Sequence, residues 1–134
     1  MTTIKDAGDD LLNDHQLSAE EAVDRHFGPT FRQRVNGKVD DRAGFLARMV
    51  DIREAVEHST ITVLDELTDG NRYAERHVVD LVQRDGARVS QEVFVFAERD
   101  SGGRFVRIEE TSQPRRRPIR APAPRAGPDD RLSP

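Results

Sequence analysis

Four side chains that could take part in proton transfer occur in the second half of the chain. Arg76 and His77 are adjacent, and Glu92 and Glu110 follow further along. Carboxylates and an imidazole can exchange protons, and a guanidinium can orient them. If Glu92 and Glu110 face one pocket with Arg76, their pKa values shift one another. The same residues could equally form a ladder of surface ion pairs, so the residue types leave both readings open.

The alternation of side chains along a strand does not decide which face of the Arg76 strand is buried. Arg76 and Val78 would share one face, whereas Tyr73 and His77 would share the other. Both faces mix apolar and polar residues. A histidine on the face away from the pocket would be a partly buried or dimer-face residue.

Several other chemistries find no support in the sequence. The chain has no cysteine, which excludes disulfides and thiolate catalysis. Its four histidines lack a metal-ligand spacing such as His-x-x-x-His, so no metal site is predicted. The pair Gly102-Gly103 is typical of a hairpin turn rather than a phosphate-binding loop. We therefore expect no cofactor.

Four strands are predicted to position the candidate residues. They cover residues 59–67, 72–84, 88–98 and 104–111. The pairs Asp69-Gly70 and Asp85-Gly86 suit tight turns, because glycine adopts positive φ without cost. Strands joined by such turns indicate an antiparallel meander.

Three helices are predicted ahead of the meander, together with a short edge strand at residues 30–35. The helices cover residues 3–16, 18–27 and 42–57. Ser18 and Glu21 have the spacing of a capping box. Phe45 and Met49 belong to an apolar stripe on the third helix, which predicts that this helix covers the sheet. The order indicates an α+β fold: a cone-shaped, curved, mostly antiparallel sheet covered by three N-terminal helices, with a cavity between them.

Composition divides the chain into two parts. The whole chain of 134 residues carries a net charge of −4, but its last 22 residues hold six arginines, two aspartates and six of the seven prolines. That segment contributes +4, so residues 1–112 carry −8. We expect one folded domain at 1–112 and a disordered tail at 113–134, whose arginines could contact an anionic partner.

The acidic body argues against binding of nucleic acid, which needs a basic face. No stretch is long and apolar enough to span a membrane, and the N-terminal segment lacks an apolar signal region. These features predict a cytoplasmic protein without a membrane partner.

Several short motifs make residues 3–112 resemble the SnoaL-like branch of the nuclear transport factor two superfamily. The motifs are Phe27 with Phe31, Asn36-Gly37, Phe45, Asp69-Gly70, Ala74-Glu75-Arg76, Asp85-Gly86, Phe94-Val95-Phe96 and residues 103–108. The resemblance implies a pocket between helices and sheet and a homodimer. It does not imply one activity, because this superfamily contains isomerases, cyclases, epoxide hydrolases and non-catalytic binders.

The resemblance also implies which residues to test against each activity. Arg76 and Glu110 match two members of the limonene-epoxide hydrolase triad, but Val78 replaces the middle acid. Glu110 could be the acid of a polyketide cyclase, although no histidine lies between Val89 and Glu110. His77, on the neighbouring strand, could serve only if the pocket is built differently. A ketosteroid isomerase is rejected, since residues 31–36 hold no carboxylate and Tyr73, the sole tyrosine, is on a later strand.

Two hypotheses follow. In the first, the protein binds a small, largely apolar molecule, with Glu110 and Arg76 as acid–base residues and a homodimer formed by the sheet face that carries Tyr73, Val79 and Leu81. The predicted pocket residues are Arg76, Val78, Glu92, Phe94, Glu110, Phe45 and Met49. In the second, it is a non-catalytic dimeric accessory module whose cavity is filled by Phe45, Met49, Phe94 and Phe96.

Overall fold

The computed structural model describes residues 1–115, which form three helices and one six-stranded sheet. The helices are α1 (Ile4–Leu12), α2 (Ala19–His26) and α3 (Arg42–Ala55). The strands are β1 (Phe27–Val35), β2 (Lys38–Asp41), β3 (Val56–Asp69), β4 (Arg72–Gln83), β5 (Arg88–Arg99) and β6 (Phe105–Pro114). The α+β class and the four-stranded meander predicted from the sequence are confirmed.

The sheet is curved and mostly antiparallel, with the order β2-β1-β6-β5-β4-β3. Strands β3 to β6 follow one another as antiparallel neighbours, and β1 joins β6 in the parallel direction. Strand β6 is the last strand of the meander, and the hairpin of β1 and β2 extends the sheet beyond it. Strand β2 was not predicted, and the tight Asn36-Gly37 turn explains it, since both residues have positive φ (50° and 86°).

The first two helices begin and end at identifiable side-chain contacts. Thr3 caps α1, and Ser18 and Glu21 form the predicted capping box at the start of α2. Helix α1 ends at Leu12, four residues before the predicted end. The reason is Asn13, whose amide pairs with the backbone of Ser59 on β3 at 2.8 and 2.9 Å and so fixes the chain outside the helix.

Helix α3 covers the sheet as its apolar stripe predicted. Asp41 caps it by accepting from the backbone N–H of Gly44 at 2.9 Å. Phe45 is 5% exposed and belongs to the core, and Leu46 and Met49 pack against that core.

The helices cover only one face of the sheet, here called the inner face. Its buried residues on β4, β5 and β6 are Tyr73, Glu75, His77, Val93, Val95, Ala97, Phe105 and Ile108. The opposite or outer face carries Arg72, Arg76, Phe94, Phe96, Glu98, Arg107 and Glu109. Within the core, Phe27, Phe31 and Phe45 pack with ring centroids 4.7 to 5.0 Å apart.

The last strand continues past the domain boundary predicted at Ser112. Gln113 and Pro114 pair with Glu92 and Gln91 on β5, and the N–H of Arg115 donates to Ser90 at 2.8 Å. The rest of the predicted tail, including Arg116, Arg117 and Arg120 of its arginine cluster, lies outside the described residues.

Candidate acid–base site

Arg76 lies on the outer face, contrary to the expectation implied by the resemblance. Its guanidinium donates to Asp65 at 2.8 and 3.0 Å and to Glu92 at 2.9 Å. The side chain is 37% exposed, and these two carboxylates raise its pKa. Arg76 is therefore part of a surface ion-pair ladder rather than of the predicted pocket.

The other predicted pocket residues divide between the two faces. Glu92 pairs with Arg76, and Phe94 is 45% exposed beneath the same guanidinium, so both belong to the outer face. Val78 alternates with them and lies on that face too, although it is buried. Phe45 and Met49 lie on the helical side, and Glu110 is the one predicted acid on the inner face. The prediction thus combined residues from opposite sides of the sheet.

A buried carboxylate–imidazole pair occupies the inner face of β4. Glu75 Oε1 lies 2.6 Å from His77 Nδ1, and both side chains are almost fully covered. As a carboxylate, Glu75 can only accept, so Nδ1 of His77 carries a proton, and in the neutral form of the ring Nε2 keeps its lone pair. The second oxygen of Glu75, Oε2, is buried and has no partner among the described residues.

Glu110 lies on β6 in the same row of the sheet as Glu75, with Val95 of β5 between them. Burial raises the pKa of Glu110 above its ordinary value. A charge on His77 lowers the pKa of Glu110, the charge of Glu75 raises it, and the charge of Arg48 lowers it. Glu110 is therefore a carboxyl group that keeps its proton to higher pH than an exposed glutamate.

Two further polar residues lie near this site. Gln33 on β1 is 8% exposed, and its carbonyl oxygen Oε1 is buried without a described partner. Arg48 on α3 forms an ion pair with Asp40 and still acts on Glu110 through its charge. The site consequently contains a base, a protonatable acid and unsatisfied acceptors within an otherwise apolar core.

This arrangement is able to move protons. A histidine held by a carboxylate can accept a proton at Nε2, and a carboxyl group with a raised pKa can donate one. Both groups belong to rigid, paired strands, so their geometry is fixed before any ligand arrives.

The sequence contained one signal for this site that the prediction did not use. Tyr73, Val79 and Leu81 make the His77 face of β4 more apolar than the face with Ala74, Val78 and Val82. The larger apolar area points to the core side, and Tyr73 is indeed 1% exposed. The prediction that the face with Tyr73, Val79 and Leu81 forms a dimer is wrong, because this face is the one that packs on the core.

The outer face has its own groove of about 630 Å³. Phe94 and Phe96, each nearly half exposed, line it together with Arg34, Asn36 and Glu109. Glu75 and Glu110 also belong to its lining, but their side chains lie on the inner face, so their strands form its floor. This groove is therefore separate from the acid–base site.

Within residues 1–115, no group of three or more potential ligand side chains could hold a metal ion. None of the helices in that range is long and apolar enough to cross a membrane.

Solved structures with the same architecture belong to the nuclear transport factor two-like fold. An NTF2-like protein of Exiguobacterium sp. 255-15 is 17% identical over 86% of this chain and 100% of its own, with a TM-score of 0.63. IdmH of Streptomyces antibioticus, proposed to be a polyketide cyclase, is 19% identical over 69% of this chain and 79% of its own, with a TM-score of 0.58.

AclR of Streptomyces galilaeus, proposed to be a hydroxylase, is 16% identical over 68% of this chain and 65% of its own, with a TM-score of 0.59. The match thus spans less than two thirds of AclR. No protein-family profile matches the chain. No curated protein sequence matches it either. The chain has the nuclear transport factor two-like fold that its sequence motifs resembled.

Proposed function

We propose that this protein binds a small, largely apolar carbonyl compound and transfers protons beside its carbonyl group, as a cyclase or an isomerase does. The observation that carries the proposal is the 2.6 Å contact between Glu75 and His77 on the face that also holds the partly buried Glu110. The expected substrate is mainly apolar, because the residues around these groups belong to the hydrophobic core.

Each residue of the site has a distinct role in this reaction. His77 Nε2 removes a proton from the carbon next to the carbonyl, and protonated Glu110 donates a hydrogen bond or the proton to the carbonyl oxygen. The resulting enol is reprotonated elsewhere in an isomerase or attacks a second carbonyl in a cyclase. Glu75 acts through His77 and is a positioning residue.

The similarity to IdmH supports this class of chemistry, since IdmH is itself proposed to be a polyketide cyclase. A sequence identity of 19% indicates a shared fold but not a shared reaction, so the proposed reaction depends on the residues of this chain.

Exchange of carbon-bound hydrogen in D₂O tests the proposal without knowledge of the final product. The protein is incubated with a set of cyclic ketones and 1,3-diketones, and loss of the α-proton signal is followed by NMR. We expect exchange above the buffer rate for at least one compound, and a fall of about 10²-fold or more for His77→Gln.

Arg76→Gln is the matched control, because Arg76 adjoins His77 in the chain but lies on the outer face. It should exchange at the wild-type rate. A loss in Arg76→Gln equal to that in His77→Gln would contradict the assignment of the inner face.

A non-catalytic dimeric module remains the alternative, and one observation favours it. The side chain of Glu75 has no exposed surface, so no water-sized space adjoins it. A ligand would have to enter beside His77 and Glu110, which are less completely covered. Absence of exchange and of binding with every compound would favour this alternative.

We also propose that the outer face forms a homodimer. Phe94 and Phe96 are exposed there, between arginines and glutamates that could pair with those of a second copy. A cytoplasmic location stays a prediction.

A further inference from the structure

A second hydrogen-bonded relay connects the N-terminal segment to α1 and α2. The hydroxyl oxygen of Thr2 lies 2.5 Å from His26 Nδ1, and His26 Nε2 lies 2.6 Å from Asp10 Oδ2. As a carboxylate, Asp10 can only accept, so Nε2 carries the proton of the neutral ring. The lone pair of Nδ1 then faces the Thr2 hydroxyl, which is the order of groups that activates a hydroxyl nucleophile.

The relay borders a cavity of about 240 Å³. Thr2, His26 and Asp6 line it, together with the glycine pair of the turn between β5 and β6. Arg25 and Arg104 contribute two guanidinium groups to the same wall. Arg25 donates to Asp10 Oδ2 at 3.2 Å and Arg104 to the Asp24 carbonyl at 3.0 Å, so either cation has to turn from its present partner to stabilise the negative charge that forms on an oxygen during acyl transfer.

The backbone of Thr2 is held independently of the relay. Its N–H donates to Gly103 O at 2.9 Å, and its carbonyl accepts from the side chain of buried Arg99 at 2.8 Å. These two bonds hold the backbone of Thr2 between the β5–β6 turn and Arg99. The hydroxyl–imidazole–carboxylate relay is additional to them, and it leaves Thr2 in one defined orientation, as a nucleophile requires.

We propose that Thr2 is a nucleophile toward small activated carboxylic esters, with His26 as its base and Asp10 as the positioning residue. The Thr2 oxygen bonds to the ester carbonyl carbon, and its proton passes to His26. The bond from that carbon to the leaving oxygen breaks, and His26 returns the proton to the leaving group. Water then cleaves the acyl–Thr2 ester by the same route, which restores the hydroxyl. The cavity volume limits the substrate to short acyl groups.

Hydrolysis of p-nitrophenyl acetate by the full chain tests this proposal. Wild type and Thr2→Ser should release p-nitrophenol above the background that the exposed histidines and amines of the chain sustain. Thr2→Val, which keeps the shape but lacks the hydroxyl, should fall to that background. Asp10→Asn should lose about 10²-fold or more, because the imidazole is no longer held in the active tautomer. Release by Thr2→Val at the wild-type rate would overturn the proposal.

Peptide mass spectrometry of the wild-type protein after brief exposure to the ester gives a second, independent test. We expect one acetyl group that fragmentation assigns to the Thr2 side chain, because the Met1 and Lys5 amines of the same peptide also react with the ester. An acetyl group found only on those amines or elsewhere refutes the assignment even if a variant fails to fold. Thr60→Val is the matched control. Its hydroxyl lies 3.4 Å from His58 Nε2, but no carboxylate within residues 1–115 completes that pair, so its removal should leave the rate unchanged.

Discussion

His77 and Glu75 are two residues apart on β4, and their side chains meet on the inner face with Nδ1 and Oε1 separated by 2.6 Å. Residues at this spacing share a face of a strand, so the pairing is a direct product of the β conformation. Glu75 is completely covered, while His77 keeps 7% of its side-chain surface. The carboxylate is thus the inner support, and the imidazole is the member of the pair that a ligand could reach.

Glu75→Gln should reduce α-proton exchange by about 10²-fold or more while His77 remains in place. An amide can turn its NH₂ group toward Nδ1, which favours the tautomer whose Nε2 carries the proton and cannot act as a base. Exchange kinetics measure the loss, and ¹⁵N chemical shifts of the imidazole report the tautomer. A reduced rate with an unchanged tautomer would count against the positioning role.

Glu110→Gln should change the pH dependence of stability. The pKa of Glu110 in the folded protein is raised above its ordinary value of 4.5. The contribution of Glu110 to the stability of wild type is therefore present below pH 4.5, and it is lost as the pH rises through the folded-state pKa. The variant should therefore become more stable relative to wild type as the pH rises above about 4.5. Urea unfolding across this range measures the difference.

Glu109→Gln is a control of opposite sign for the same experiment. Glu109 is the next residue in β6 but lies on the outer face, where Arg34 and then Arg107 lower its pKa. Its contribution is present above the unfolded-state pKa and is lost as the solution becomes more acidic. The two variants should consequently diverge from wild type in opposite directions with pH. Parallel trends would contradict the placement of Glu110 on the inner face.

The fold was predictable because its signals are local. The Ser18 and Glu21 capping box, the aspartate–glycine turns and the stripe of Phe45 and Met49 each depend on a few neighbouring residues. Strand β2 was missed because its four residues are exposed or only partly buried, so they carry no apolar alternation. The parallel pairing of β1 with β6 was also beyond a local reading, since it joins segments about 75 residues apart.

The candidate site was only partly predictable, because the face of β4 that is buried is a tertiary property. Arg76 and His77 are neighbours in sequence and lie on opposite faces of β4. To predict Arg76 as the buried residue instead of His77 therefore assigns every residue of the strand to the wrong face. Burial of Glu75 is unexpected from its type, since an ionised glutamate is rarely covered without a partner. Among the described residues, His77 is the one that pairs with this carboxylate, and that contact follows from the fold.

Tyr73→Phe should cost about 1 kcal/mol of unfolding free energy. The ring is 1% exposed and packs against Phe105 at 5.7 Å, so the apolar contact is kept. The lost hydroxyl donates to Glu66 and accepts from the backbone N–H of Ile4 at 3.4 Å. Tyr73→Ala should cost about 3–5 kcal/mol, because it also leaves a cavity. Urea titration of both variants separates the two contributions, and equal losses would contradict this division.

Phe96→Glu should convert the proposed homodimer into a folded monomer. Phe96 is 44% exposed on the outer face beneath Arg72 and Arg107, so a carboxylate there adds charge to the contact without removing core packing. Light scattering coupled to size exclusion gives the mass, and circular dichroism checks the fold. Val50→Glu is the matched control, because Val50 is similarly exposed (41%) but lies on α3, on the helical side of the sheet. A dimer that survives Phe96→Glu and dissociates with Val50→Glu would place the interface on the helices, and the outer face would then have no role in assembly.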